Sequence, residues 1–153
     1  PMSGITDEAF AKILSNNIIS NNTLTTLVAP QMIERKDGVV IIISSIGGLR
    51  ASTVIGAYCV SKAADVQLAR NLAAELGPHN IRVNCISPGL VKTDFAKALW
   101  DDPEKKEQRE EETPLRRIGE PNDIAGAAVF LASRAGGWLT GQNIVVDGGV
   151  TAV

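Results

Sequence analysis

Apolar and polar positions change period several times along this chain, and most changes fall at glycine or proline. From Thr6 to Arg35 the residues Phe10, Ile13, Leu14, Ile18, Leu24, Leu27 and Val28 keep a rough helical spacing, which predicts one long helix. Thr6 or Asp7 is placed to cap it, with acidic residues in the first turn. Asn16, Asn17, Asn21 and Asn22 interrupt the stripe, and Pro30 predicts a kink or break near its end. Asp37-Gly38 marks a turn. Val39 to Ser44, β-branched and apolar up to its serine, has the pattern of a parallel strand covered on both faces. An irregular loop with Gly47-Gly48 follows. A second long helix is predicted from Ala57 to Gly77, stopped by Gly77-Pro78. Ile81 to Ile86 reads as another buried strand, broken at Pro88-Gly89. Beyond it the pattern predicts a charged helical stretch from Phe95 to Glu112 and a short helix from Pro121 to Ala132. A last strand, Ile144 to Val146, is stopped by Asp147-Gly148-Gly149.

Strands alternating with helices predict an α/β fold built on a parallel sheet with right-handed crossovers. The 153 residues make one domain's length, and 44% hydrophobic with 21% charged residues is an ordinary globular composition. A net charge of −2 and 4% aromatic residues give no electrostatic or stacking case for nucleic acid or an acidic membrane surface. No apolar run approaches the ~20 residues of a membrane span. Cys59 and Cys85 lack metal-ligand spacing, so no metal site is expected; they read as free thiols packed in the interior of a cytoplasmic protein. His79, in a Gly-Pro-His-Asn turn, reads as a solvated polar residue. Pro1 precedes Met2, and the expectation is that the sequence starts inside a longer product.

In a parallel α/β sheet, ligands bind beyond the carboxyl ends of the strands. Ser44-Ser45 and Ser87-Pro88-Gly89 follow the first two strands and therefore share one rim. Tyr58 lies thirteen residues after Ser45, near the start of the next helix, and Lys62 follows four residues later on the same helical face. Reducing a ketone requires a hydride at carbon and a proton at oxygen. Tyr58 suits the proton transfer in either direction, but a free phenol titrates near ~10. An ammonium beside it favours the phenolate, and the Ser45 hydroxyl is placed to hydrogen-bond the substrate oxygen as charge develops. Tyr-x-x-x-Lys alone is a common spacing that usually marks an exposed helix pair. The strand ahead of Ser45 and the Pro-Gly after the next strand give the pair its weight.

Several segments then act together: Ile43-Ser44-Ser45, Tyr58-Cys59-Val60-Ser61-Lys62, Ile81-Arg82-Val83-Asn84, Ser87-Pro88-Gly89-Leu90-Val91-Lys92-Thr93, Arg117-Ile118-Gly119-Glu120-Pro121 and Asp147-Gly148-Gly149. Over residues 6 to 150 the chain resembles the C-terminal part of a short-chain dehydrogenase/reductase. Arg82-Val83-Asn84-Cys85, Leu99-Trp100 and Arg116 to Pro121 resemble the peroxisomal-type, NADPH-dependent carbonyl and retinal reductases and their bacterial relatives, oxoacyl-carrier-protein reductases among them. The resemblance implies a catalytic set of Asn17, Ser45, Tyr58 and Lys62. Asn17 matches by its place twenty-eight residues before Ser45, where it would anchor a water relaying protons to Lys62; Asn16 is the competing assignment. Lys62, with Tyr58, would also meet the nicotinamide ribose. Pro88, Gly89, Val91 and Thr93 would line the cofactor, which is NAD or NADP, with the resemblance leaning to NADP. Phe95, Leu99 and Trp100 fall in the family's substrate lid, where they would meet an apolar substrate or form the lid's own buried stripe.

The family's Thr-Gly-x-x-x-Gly-x-Gly turn, which holds the pyrophosphate, does not occur in these residues, and Gly4 is the only glycine before Gly38. The chain is thus expected to be the catalytic half of a Rossmann-like domain, with the strands that precede it in the family missing. Alone it is expected to bind dinucleotide weakly, to be inactive, and to leave Val39–Ser44 as a sticky edge. Homo-oligomerisation to a dimer or tetramer, through the two long helices or the last strand, would cover part of that surface. Two rivals stand beside the carbonyl/alcohol oxidoreductase: a catalytically incompetent, oligomerising α/β module and an NAD(P)-sensing binding protein.

Overall fold

The computed structural model describes residues 1–153. Helix α1 (Asp7–Leu14) starts at Thr6, whose hydroxyl accepts from the Ala9 N–H at 3.2 Å. Ser15–Ile19 then widens into a π-helical turn, and α2 (Ser20–Arg35) continues the rod. The predicted helix spans the expected residues, but Asn16 and Asn17 do more than interrupt a stripe: they sit in the wide turn. Such turns inside α-helices are rare and concentrate at functional sites. Pro30 does not break the helix, which runs on to Arg35 and stops at Lys36, a residue with φ of 53°.

The buried face of α2 is not the apolar one. Thr25 and Ala29 are buried, whereas Leu24, Leu27 and Val28 are exposed. Small side chains let the helix lie close to its neighbours, and the Thr25 hydroxyl is satisfied by donating to the Asn21 carbonyl at 2.8 Å.

Three parallel strands form the sheet in the order β1 (Gly38–Ile43), β2 (Ile81–Pro88), β3 (Asn143–Val146), with Gly38 opposite Ile81 and Cys85 opposite Asn143. Strand β1 stops one residue before Ser44, although the Ser44 N–H still donates to the Ile86 carbonyl. Strand β2 runs two residues past its predicted end, through Ser87 and Pro88. It is the strand covered on both faces, with Ile81, Val83, Cys85 and Ile86 at 0–1% exposure. The edge strand β1 buries only Gly38 and Ile42, and Ile43 is 48% exposed, so the two-sided cover predicted for it is incomplete.

Helix α3 (Gly56–Leu76) joins α2 over one face of the sheet, where Ala29, Ile42, Val66, Leu72, Val83 and Cys85 share a core. Helix α3 ends at Leu76 with Gly77 as its cap, as predicted, but the chain does not reverse there. Gly77–His79 continues as a 3-10 turn, and Asn80, with φ of 60°, reverses the chain while its amide donates to the Lys36 carbonyl at 2.8 Å. The charged stretch expected as one helix is two: a 3-10 segment Asp94–Leu99 and α4 (Pro103–Glu112). Pro103, lacking an N–H, suits only the start of a helix, and the Asp102 carboxylate caps it by accepting from Glu104 and Lys105. Helix α5 (Pro121–Ala132) contributes the fully buried Leu131. No helix is long and apolar enough to cross a membrane.

Alternation along β2 sends Arg82 and Asn84 to the α5 side. The Arg82 guanidinium donates to the carbonyls of Leu131 at 2.6 Å, Gly136 at 2.7 Å and Ser133 at 3.4 Å, closing the end of α5, while the Asn84 amide donates to the Leu139 carbonyl at 2.8 Å. Arg82→Leu leaves part-buried carbonyls unpaired. Its expected cost is about 1–3 kcal/mol of stability, read from the midpoint of urea unfolding at constant slope; an unchanged midpoint would mean that the cap is idle.

Candidate active site

Ser45 leaves β1 in an extended conformation, and its hydroxyl accepts from the Gly47 N–H at 3.0 Å. The loop Ile46–Gly48 lies directly on α3: a Cβ at Gly48 would stand 2.7 Å from the Lys62 carbonyl carbon. This approach, open only to glycine, brings Ser45 and Tyr58 to one place. A Cβ at Gly47 would lie 3.4 Å from both the Ser45 hydroxyl oxygen and the Tyr58 ring. The same seam is tied by the Ser44 hydroxyl, which donates to the Lys62 carbonyl at 2.7 Å.

The Lys62 ammonium stands 5.8 Å from the centre of the Tyr58 ring. It donates to the Ile43 carbonyl at 2.9 Å and to Asp65 Oδ2 at 3.0 Å. Asp65 is fully buried. Its other oxygen accepts from the Asn21 amide at 2.8 Å, and that amide also donates to the Asn17 carbonyl at 2.6 Å. Asn17 thus reaches Lys62 through Asn21 and Asp65. Its own side chain donates to the Ser61 hydroxyl at 2.9 Å, which donates to the Tyr58 carbonyl at 2.7 Å. Sequence reasoning passed over Asp65 and Asn21. The signal was present: Asp65 is an acid in the otherwise apolar Ala63-Ala64-Asp65-Val66, three residues after Lys62, and Asn21 follows Asn17 by one helical turn.

On the neighbouring strand end, the Gly89 N–H donates to the Val146 carbonyl at 2.9 Å, and a Cβ there would meet Asp147 at 2.8 Å. Pro88 and Gly89 therefore join the rim to β3. Val91 pairs with Gly119 in a parallel bridge. Thr93 caps the 3-10 segment by accepting from Ala96 at 3.3 Å, and its carbonyl accepts from the Trp100 indole at 3.3 Å. Phe95 is 91% exposed and Leu99 is exposed, so only Trp100, half-buried, behaves as a packing residue of this segment.

Asp147 closes the chain after β3. Burial pulls its carboxyl upward, but hydrogen bonds from the Thr151 hydroxyl, the Gly149 N–H and the Thr151 N–H win and hold it below the usual carboxylate range. Arg117 grips Asp123 with two bonds of 2.6 and 2.8 Å and depresses it further. Cys85 is the opposite case: burial, reinforced by the nearby Asp65 charge, pushes its thiol from 9.0 up to about 12.

A family profile described as "Enoyl-(Acyl carrier protein) reductase" matches residues 1–151. The chain belongs to the short-chain dehydrogenase/reductase family. It is 44% identical over 147 residues to the pig protein "Dehydrogenase/reductase SDR family member 4", covering 96% of this chain and 53% of that protein. It therefore spans about half the length of the curated relatives it matches. A 4-hydroxyisoleucine dehydrogenase solved with NADH superposes with a TM-score of 0.94 at 33% identity, over 100% of this chain and 63% of the other. A gluconate 5-dehydrogenase from Burkholderia cenocepacia, solved with NADP and tartrate, gives 0.95 at 30% identity, over 100% and 60%. These neighbours share the Rossmann-like arrangement of a parallel sheet between helices.

A thiol raised in the folded state is held neutral, and the stability this contributes is whole below 9.0 and lost as pH climbs toward about 12. Native protein near about pH 8 is therefore expected to leave Cys85 unalkylated by iodoacetamide, with labelling on unfolding, as read by peptide mass spectrometry. Rapid labelling of the native fold would contradict the buried, neutral thiol.

Proposed function

We propose that this chain is the catalytic half of an NAD(P)-dependent oxidoreductase that interconverts a carbonyl and an alcohol. The observation that carries the reading is the state of the Tyr58 and Lys62 polar groups. The Tyr58 hydroxyl makes no hydrogen bond within the chain, and Lys62 uses two of its three N–H donors. One phenol and one N–H are thus left for a ligand at the strand rim. Thr93 also keeps its hydroxyl proton while accepting from Ala96. This donor set fits the nicotinamide and ribose end of a dinucleotide, along a wall of Pro88, Gly89 and Val91. When bound, the dinucleotide supplies or receives the hydride.

The residues of the chain manage the proton. In reduction Tyr58 gives its hydroxyl proton to the nascent alkoxide, and in oxidation its phenolate takes the alcohol proton. Lys62 favours the phenolate through its charge. Ser45 orients the substrate oxygen by hydrogen bonding. Asn17, within the wide turn, anchors the path by which the proton reaches solvent through Lys62. Phe95, Leu99 and Trp100 form the substrate side, and the exposed Phe95 favours a carbonyl compound with an apolar body. Apolar side chains on α2 and around β3, Trp138 at 98% exposure among them, support association of copies into a dimer or tetramer. Two unpaired cysteines support a reducing, cytoplasmic setting. A second reading, an associating α/β module without dinucleotide binding, is favoured by the exposed edge at Ile43.

Fluorescence titration with NADH and NADPH, followed by ketone reduction, separates the two in the protein that carries this chain. Neither binding nor turnover with either nucleotide would be the module's signature; saturable binding with turnover sinks it. In that protein Tyr58→Phe is expected to lower the reduction rate by about 10²–10⁴-fold while nucleotide affinity stays near wild type. Retained turnover would remove Tyr58 from the proton step. Lys62→Ala is expected to lower both rate and affinity, and an unchanged affinity would remove the ribose contact.

A further inference from the structure

We infer that Asp65 is the positioning residue of the Lys62 ammonium and that Asn21 holds Asp65 in turn; the inference rests on the roles proposed for Tyr58 and Lys62. A lysine ammonium is a point charge on a flexible stem and has no directional geometry of its own. Its location is set by its acceptors, which here are the Ile43 carbonyl and Asp65 Oδ2. The carbonyl is fixed by the sheet. The carboxylate is fixed because it is fully buried and both oxygens are occupied, one by Lys62 and one by the Asn21 amide. Asn21 is fixed by its second bond, to the Asn17 carbonyl in the π-helical turn. The widened turn, the amide, the carboxylate and the ammonium therefore form one chain that ends beside the Tyr58 ring.

Charge gives the arrangement a second effect. Helix α2 and the turn before it face Lys62 with neutral Asn21 and Asn17, and β1 with the Ile43 carbonyl. Strand β2 brings the neutral thiol of Cys85. Helix α3 carries Tyr58, Asp65 and, further along, Arg70. Asp65 thus supplies the negative charge that offsets Lys62. With it in place the ammonium's pull on the phenol is moderated rather than full.

The test uses Asp65→Asn, which keeps the side-chain volume, in the protein that carries this chain. Two measurements read it: the pH profile of alcohol oxidation, and the rate at which acetic anhydride acylates Lys62, followed by peptide mass spectrometry without nucleotide. The acid limb of the oxidation profile is expected to move down by about one pH unit, because the ammonium's effect on Tyr58 is no longer offset. Lys62 acylation is expected to rise several-fold, because the ammonium has lost its anionic partner. A folded variant, judged by its thermal transition, with the wild-type limb and the wild-type acylation rate overturns the inference. Turnover retained in Tyr58→Phe would instead overturn the functional reading, and the acylation rates would still decide the role of Asp65. If Asp65→Asn does not fold, Asn21→Ala decides: it leaves the ion pair but frees Asp65 Oδ1. Faster Lys62 acylation supports the inference, and a wild-type rate overturns it.

Discussion

A largely buried ion pair, partnered from two neighbouring elements, ties this structure together. Lys62 and Asp65 meet at 3.0 Å with side-chain exposures of 12% and 0%. Burying two charges is costly, and removing one partner of such a pair costs about 3–5 kcal/mol because the other is left uncompensated. The fold meets that demand by giving each carboxylate oxygen a donor. Both residues lie on α3, while α2 supplies Asn21 and β1 the Ile43 carbonyl, so the pair is fully partnered only when α2, α3 and β1 are all in place. The best-defined part of the rim is thus also the part that senses whether the layers are assembled.

The close seam between the Ser45 loop and α3 has the same logic in steric terms. Gly48 admits the loop to the backbone of Lys62, and Ser44 locks it there. A side chain at position 48 would lift the loop and carry Ser45 away from Tyr58. Ser45 comes from the loop after β1 and Tyr58 and Lys62 from α3, and it is backbone contact that brings these two segments to one place.

Much of this was legible in the residues. The β-branched run Val39–Ile43 and the run Ile81–Ile86 marked two parallel strands, and strand order put Ser45 and Pro88 on one rim. What stayed hidden has physical reasons. The period of the first helix picked out Leu24, Leu27 and Val28, yet the sheet side takes Thr25 and Ala29, because close packing favours small residues and a threonine can satisfy its hydroxyl within the helix. Asp102 and Pro103 together divided the lid stretch, a cap hidden inside a uniformly charged run. Asp65 went unread because an acid on a helix is ordinarily a solvated one. Lys62 one turn away was a hint, but only the tertiary arrangement brings the Asn21 amide to Asp65 and buries the acid.

The wide turn at Ser15–Ile19 has a consequence for how the sequence can vary. A π-helical turn is an α-helix with one residue too many, so it sets the phase between what lies before and after it. Winding the same residues as a uniform α-helix would rotate all of α2 by about 100° relative to α1. Thr25 and Ala29 would swing off the sheet and Asn21 would leave Asp65. The turn therefore acts as a punctuation mark in the reading frame of the helix surface. The extra residue is carried only because the turn is wide, so its width and its residue count change together.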